Sequence, residues 1–300
     1  MSFMCHILIA GGDNRNFHLA KELSNKGAKV KVWGIEVDKA DNLARGCAED
    51  FAKGLSKADV IVLPLPCTKD GKTIHTPLSD EEYTLADVCR YASDNAVIIG
   101  GKMDCSLFQG GSRIVCDYAA REDFASLNAV PTCEGAIEAA MKLMNVTIFS
   151  ANCFVTGFGK CAKILALTLK AMGATVTVCA RSLRDRSLAA AMGMDTVSIE
   201  DMHLKINVAD AVFNTIPHRI CSARELSLLK PGVPFVDVAS APGGLDPRDA
   251  ERYGINYAFL PALPGKYAPV TAARIILKTL ENIIGESGKD ANLWIYGEKG

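Results

Sequence analysis

The chain has 300 residues, 49% of them hydrophobic, and a formal net charge of −1 from 33 Lys and Arg against 34 Asp and Glu. That length favours two domains, each large enough for its own core. The near-neutral charge, without a basic stripe, excludes nucleic acid as the main partner.

The chain opens on an apolar strand at 6–10, the turn Gly11-Gly12-Asp13, a helix over about 14–26 stopped by Gly27, and a strand at 28–33. This is a Rossmann-like start without the glycine fingerprint. Asp13, a good N-cap, sets a carboxylate where a pyrophosphate would sit, so this half is expected to take substrate rather than nucleotide. Strands at 59–65, 96–100 and 113–116, with helices near 81–93 and 121–125, extend it into an open parallel sheet. Val130-Pro131-Thr132-Cys133-Glu134-Gly135 then leads into an apolar helix at 136–144. Thr132 is its expected cap, Glu134 falls in its favourable first turn, and the segment reads as a bridge between domains.

Residues 153–181 carry the strongest signal: a strand, the turn Gly157-Phe158-Gly159-Lys160, a helix, and a second strand ending at Ala180-Arg181-Ser182. Gly157 permits the turn, Gly159 lets backbone approach a pyrophosphate, and Ala162 lets helix pack on strand. A nicotinamide cofactor is expected here. NAD enzymes usually place an acidic residue at the end of the second strand. Arg181 and Ser182 suit a 2′-phosphate instead, which favours NADP while leaving NAD open. Strands at 211–215, 234–238 and 257–260 each run into a Gly/Pro-rich loop. Those loops lie at strand C-termini, the edge where open α/β sheets bind ligands. A final amphipathic helix over about 269–284 precedes a tail expected to fray.

The expected fold class is therefore α/β, with two Rossmann-like parallel-sheet domains and an interdomain cleft. Residues 1–128 form the substrate-side domain, 129–147 the bridging helix, 148–268 the NAD(P)-binding domain, and 269–300 a C-terminal helix at the domain junction with its tail. The expected nucleotide-facing set is Gly157, Phe158, Gly159, Lys160, Ala180, Arg181, Ser182, Thr215, Pro217 and Asp237. The 11 cysteines form no Cys-x-x-Cys pair and no Cys/His cluster of ligand spacing, so no metal is expected and the thiols read as small buried hydrophobes of a reducing compartment. There is no basic-then-apolar leader and no apolar run of membrane-spanning length. A cytoplasmic protein without membrane attachment is expected, with homo-oligomerisation open.

Several short segments taken together resemble one family across nearly the whole chain. They are Gly11-Gly12-Asp13-Asn14-Arg15, Pro131-Thr132-Cys133-Glu134-Gly135, Gly157-Phe158-Gly159-Lys160, Asn214-Thr215-Ile216-Pro217, Asp237-Val238-Ala239-Ser240-Ala241-Pro242-Gly243-Gly244 and Leu263-Pro264-Gly265-Lys266-Tyr267-Ala268-Pro269. Together these segments resemble the A subunit of dipicolinate synthase. The resemblance implies oxidation of a dihydrodipicolinate-type intermediate of the lysine pathway to pyridine-2,6-dicarboxylate in spore-forming bacteria, with a flavoprotein-like B subunit for a partner. The cofactor turn alone equally suits shikimate dehydrogenase, whose Asn-Arg-Thr resembles Ala180-Arg181-Ser182, but residues 1–15 do not resemble that family. A nucleotide-binding subunit without catalysis is a third reading.

Aromatising a dihydropyridine removes a hydride and a proton, and two carboxylates need cationic partners. Arg15, one turn into the first helix, is the expected carboxylate anchor, set against the reading of an exposed helix arginine. Thr132, Glu134 and Ser240 are further substrate candidates. Lys266 would meet the second carboxylate, and His218, after Pro217 at a strand end, would serve as base. Asp237 and Ser240 are alternative ribose or substrate contacts.

Overall fold

A computed structural model describes residues 5–38, 41 and 43–296. The chain divides into two compact units, Met1–Ala125 with Pro269–Gly300, and Ser126–Ala268.

The first unit begins with β1 (His6–Ala10), α1 (Asn14–Asn25) and β2 (Lys29–Trp33), and continues through β3 (Ala44–Arg45), α2 (Phe51–Lys57), β4 (Val60–Val62), α3 (Leu85–Tyr91), β5 (Val97–Gly100) and β6 (Ile114–Asp117). Its six strands are ordered β3-β2-β1-β4-β5-β6 and every pair is parallel. β4 and β5 are buried along their whole length. A parallel sheet covered on both faces demands that, and it explains why these strands read as continuous apolar runs. Asp13 caps α1, accepting from Arg15 N at 3.0 Å, and Gly27 ends it at φ +95.

The long helix α4 (Glu122–Leu143) runs straight through Pro131. This corrects the reading of Thr132 as a cap, of Glu134 as a first-turn residue, and of a separate helix from 136. A proline ordinarily marks a helix boundary, but this one is carried inside the helix, and Thr132 Oγ1 donates back to the Asn128 carbonyl at 2.8 Å.

The second unit holds β7 (Asn152–Thr156), α5 (Lys160–Ala171), β8 (Thr175–Cys179), α6 (Leu183–Ala191), β9 (Asp195–Val197), β10 (Ala211–Asn214), α7 (Ala223–Leu226), β11 (Pro234–Asp237), α8 (Pro247–Arg252), β12 (Asn256–Phe259) and α9 (Leu263–Tyr267). Its order, β12-β11-β10-β7-β8-β9, repeats that of the first unit, again all parallel. In both sheets the order reverses beside the first strand, between β1 and β4 and between β7 and β10. Ligands of open α/β sheets bind at that reversal, outside the strand C-termini.

The C-terminal segment, expected at the domain junction, is part of the first unit's core. On α10 (Pro269–Glu286), Ile276, Leu280 and Ile284 pack in one cluster with Ile7, Ile9 and Leu19. Arg274 pairs with Glu22 at 2.8 Å, and Arg121 reaches Glu286 at 2.7 Å. The tail does not fray after Gly285: α11 (Ala291–Tyr296) follows and buries Ile295, while 297–300 lie outside the described residues. No helix of the described residues is long and apolar enough to cross a membrane.

Candidate active site at two strand-end turns

The turns after β1 and β7 occupy equivalent places in their sheets and differ in one physical respect. After β7, Gly157 stands at φ +88, where a Cβ would fall 2.6 Å from Thr215 Oγ1. Gly159 is the N-cap of α5, has no side-chain cap, and a Cβ there would meet nothing within 4 Å. The space beside Gly159 at the start of α5 is thus open, and a helix N-terminus favours an anion there. After β1, by contrast, a Cβ on Gly12 would lie 2.3 Å from Asn16 Cγ, and one on Gly11 would lie 2.7 Å from the His75 carbonyl. Gly12 N already donates to that carbonyl at 2.8 Å, and Asp13 fills the cap. Only the second turn has room for a pyrophosphate.

Around that open turn the sequence-selected residues fall into three groups. Phe158 turns inward, 4% exposed and packed in the same core cluster as Ala162, while Lys160 is exposed. At the end of β8, Ala180 is buried, Arg181 is exposed, and Ser182 caps α6, accepting from Asp185 N at 3.4 Å. A second guanidinium, marked by no motif in the sequence, stands there too: Arg186 Nη1 donates to the carbonyls of Ala180 and Arg181 at 2.8 and 2.7 Å. On the rim, Pro217, His218, Ser240 and Lys266 are all exposed. Lys266 sits in the last turn of the short α9 rather than in a loop. Glu134 stands in mid-α4 beside a shallow apolar groove lined by Ile137, Met141 and Met172.

Asp237 is not free to touch a ribose or a substrate. It has no exposed surface, and its carboxylate accepts from Asn214 Nδ2 at 2.8 Å, Ala239 N at 3.1 Å, Gly244 N at 2.6 Å and Tyr257 OH at 3.0 Å. Asn214 Oδ1 in turn accepts from Thr156 Oγ1 at 2.6 Å and Ile216 N at 3.0 Å. Thr215 Oγ1 donates to the Thr156 carbonyl at 2.8 Å. This network ties the ends of β7, β10 and β11 to Tyr257 of β12, and it is why Gly243 and Gly244 carry no side chain: a Cβ would fall 2.7 Å from Asp237 Oδ2 and 2.6 Å from Asn214 Nδ2.

In the first unit, Arg15 is 5% exposed, which removes the reading of a solvated helix arginine. Nε and Nη2 fork onto Asp13 at 2.8 Å each, and Nη2 also donates to the Leu65 carbonyl at 2.6 Å. The fork is therefore occupied, and Nη1 is the part not engaged by Asp13 or Leu65. Burial raises the Asp13 pKa, but the Arg15 hydrogen bond and charge outweigh it and hold the carboxyl below its usual range. His75, which no local sequence signal singles out, lies within electrostatic reach of this pair. Burial first, then nearby cations, lower its pKa and favour the neutral ring. Among the described residues no group of three His, Cys, Asp or Glu side chains is arranged to hold a metal.

Residues 6–113 match the family model for the N-terminal domain of the dipicolinate synthase A subunit. The chain is 30% identical over 285 residues to the dipicolinate synthase A subunit of Bacillus subtilis (strain 168), covering 93% of this chain and 96% of the relative. The crystal structure of the corresponding A subunit from Bacillus halodurans superposes with a TM-score of 0.83 at 29% identity, covering 95% of this chain and 99% of that one. A transhydrogenase from Sinorhizobium meliloti shares the fold, with a TM-score of 0.63 at 17% identity over 95% of each chain. At 30% identity over almost its full length, this chain belongs to the family of dipicolinate synthase A subunits.

Proposed function

We propose that the protein oxidises a dihydrodipicolinate-type intermediate to pyridine-2,6-dicarboxylate, with NADP bound at the open turn after β7. The contrast between the open Gly159 turn and the filled Gly11-Gly12 turn carries this reading. Family membership supplies the product; the turn supplies the reason a dinucleotide belongs in the second unit. When bound, the nicotinamide accepts the hydride.

The chain's own groups supply the rest. The first-turn N–H groups of α5 receive the pyrophosphate, and Arg181 with Ser182 meets the 2′-phosphate. In the first unit Arg15 Nη1 is the proposed anchor for a substrate carboxylate, its guanidinium fixed by Asp13, and in the second unit Lys266 is the proposed carboxylate-neutralising cation. His218 is the rim imidazole proposed to take the proton, and His75 is a second imidazole, whose pKa burial lowers. The relatives are named for one subunit of a larger enzyme, so a partner subunit, flavoprotein-like, is part of the proposal, together with a cytoplasmic role in sporulation.

Two substitutions test the assignment. Arg181→Ala is expected to weaken NADP by about 10–100-fold, the worth of a charge-assisted contact, with NAD affinity nearly unchanged. Isothermal titration with both nucleotides decides, and equal losses would remove Arg181 from the 2′-phosphate site. Arg15→Lys is expected to raise the substrate Michaelis constant about tenfold while leaving NADP affinity intact. Wild-type kinetics in that variant would leave Arg15 with only its structural bond to Asp13.

A further inference from the structure

Two thiols meet at the start of α5. Cys133 Sγ lies 3.9 Å from Cys161 Sγ and 3.2 Å from the Cys161 carbonyl oxygen. Both cysteines are free; Cys133 is buried in mid-α4 and Cys161 is partly open to solvent. Cys161 is the second residue of α5, two positions after Gly159. Its N–H therefore belongs to the turn proposed to receive the pyrophosphate.

We infer that Cys133 and Cys161 form an oxidisable dithiol whose closure to an intramolecular disulfide weakens nucleotide binding at this turn. The coupling rests on the nucleotide reading proposed above. Sulfur atoms in a disulfide are about 2.05 Å apart, so closure must draw the two thiols together by nearly half their present separation. One of them is anchored in the first turn of α5 and the other in a buried stretch of α4. The displacement falls on the backbone that the phosphates would touch, where a misplacement of about 1 Å is costly.

The chemistry divides between the two residues. The contact with Cys133 favours the Cys161 thiolate and lowers its pKa, whereas that same contact, followed by burial, raises the pKa of Cys133. Cys161, the more exposed, attacks a low-molecular-weight disulfide of the glutathione class, releasing one thiol and leaving a mixed disulfide. That step removes the negative charge on Cys161 which held the Cys133 proton. Cys133 then deprotonates and attacks the Cys161 sulfur, expelling the second small thiol. Two protein thiols are oxidised, one small disulfide is reduced to two thiols, and the protons are balanced.

The test uses the full chain with oxidised glutathione and NADPH. Oxidation is expected to lower the intact mass by about 2 Da, the two hydrogens of a closed disulfide. Peptide mapping should then show a Cys133–Cys161 link. NADPH affinity should fall at least about tenfold and return with dithiothreitol. By reciprocity, saturating NADPH should make the link harder to form by the same factor, about 30 mV for tenfold. Cys133→Ala should bind NADPH like the reduced wild type, and with oxidised glutathione it should stop at the mixed disulfide on Cys161, with neither the loss of about 2 Da nor a 133–161 link. A map without the 133–161 link, or a link that leaves NADPH affinity unchanged, would overturn the inference. Failure of the reduced wild type to bind NADPH would instead remove the nucleotide reading and with it the coupling, while the map still reports the pairing.

Discussion

Gly159→Val is expected to give a folded protein that no longer binds nucleotide. The residue has ordinary extended backbone, φ −73 and ψ −170, and a Cβ at this position meets nothing within 4 Å. The unliganded fold therefore accepts a branched side chain at the cost of a poorer helix cap, about 1 kcal/mol or less. A pyrophosphate does not, because valine occupies the volume over the first-turn N–H groups that the phosphates need. Affinity should drop by more than about 100-fold, roughly the loss of two charge-assisted hydrogen bonds. Gly157→Val makes the contrast: at φ +88, with a Cβ 2.6 Å from Thr215 Oγ1, it should lose stability first and nucleotide as a consequence. Thermal unfolding and NADPH fluorescence titration on the pair separate the two. Full affinity in folded Gly159→Val would contradict a phosphate at that turn.

Asp237→Ala should cost the second unit stability on a scale that few single changes reach. The substitution leaves Asn214 Nδ2, Gly244 N and Tyr257 OH without the acceptor they share, in a place where Asp237 has no exposed surface. Each unsatisfied buried donor costs about 1–3 kcal/mol, so a total of at least about 3 kcal/mol is expected. Tyr257→Phe removes only one of the contacts and should cost about 1 kcal/mol. Urea unfolding followed by circular dichroism measures both. A change in Asp237→Ala no larger than in Tyr257→Phe would mean that water replaces the carboxylate and that the network does not hold the strand ends.

The Asp237 network also marks where sequence reading stops. The strands and turns of both sheets are legible because they are local: apolar runs for buried parallel strands, a glycine where φ turns positive, Asp13 as a cap. Asp237 misleads because an acidic residue at a strand end suits a ribose. Its actual partners, Asn214 and Tyr257, are 23 and 20 residues away, and no periodicity reports them. Cys133 and Cys161, 28 residues apart, look scattered for the same reason. Pro131 is a local signal that tertiary packing overrides, since α4 continues through it and buries Cys133, Ala136 and Ala140. The two-residue β3 is exposed, so it carries no hydrophobic alternation to find. Arg15 stands out in the sequence, but the Leu65 carbonyl that its Nη2 also bonds lies 50 residues on.

The nucleotide chemistry proposed for the second unit depends on the turn after β7, and not its filled counterpart after β1, receiving the dinucleotide. A crystal structure of the protein grown with NADPH tests that most directly. The pyrophosphate is expected over Gly159, within hydrogen-bonding distance of the first-turn N–H groups of α5, and the 2′-phosphate beside Arg181. Nucleotide density at Gly11-Gly12-Asp13, or a dinucleotide bound with its phosphates away from Gly159, would contradict it.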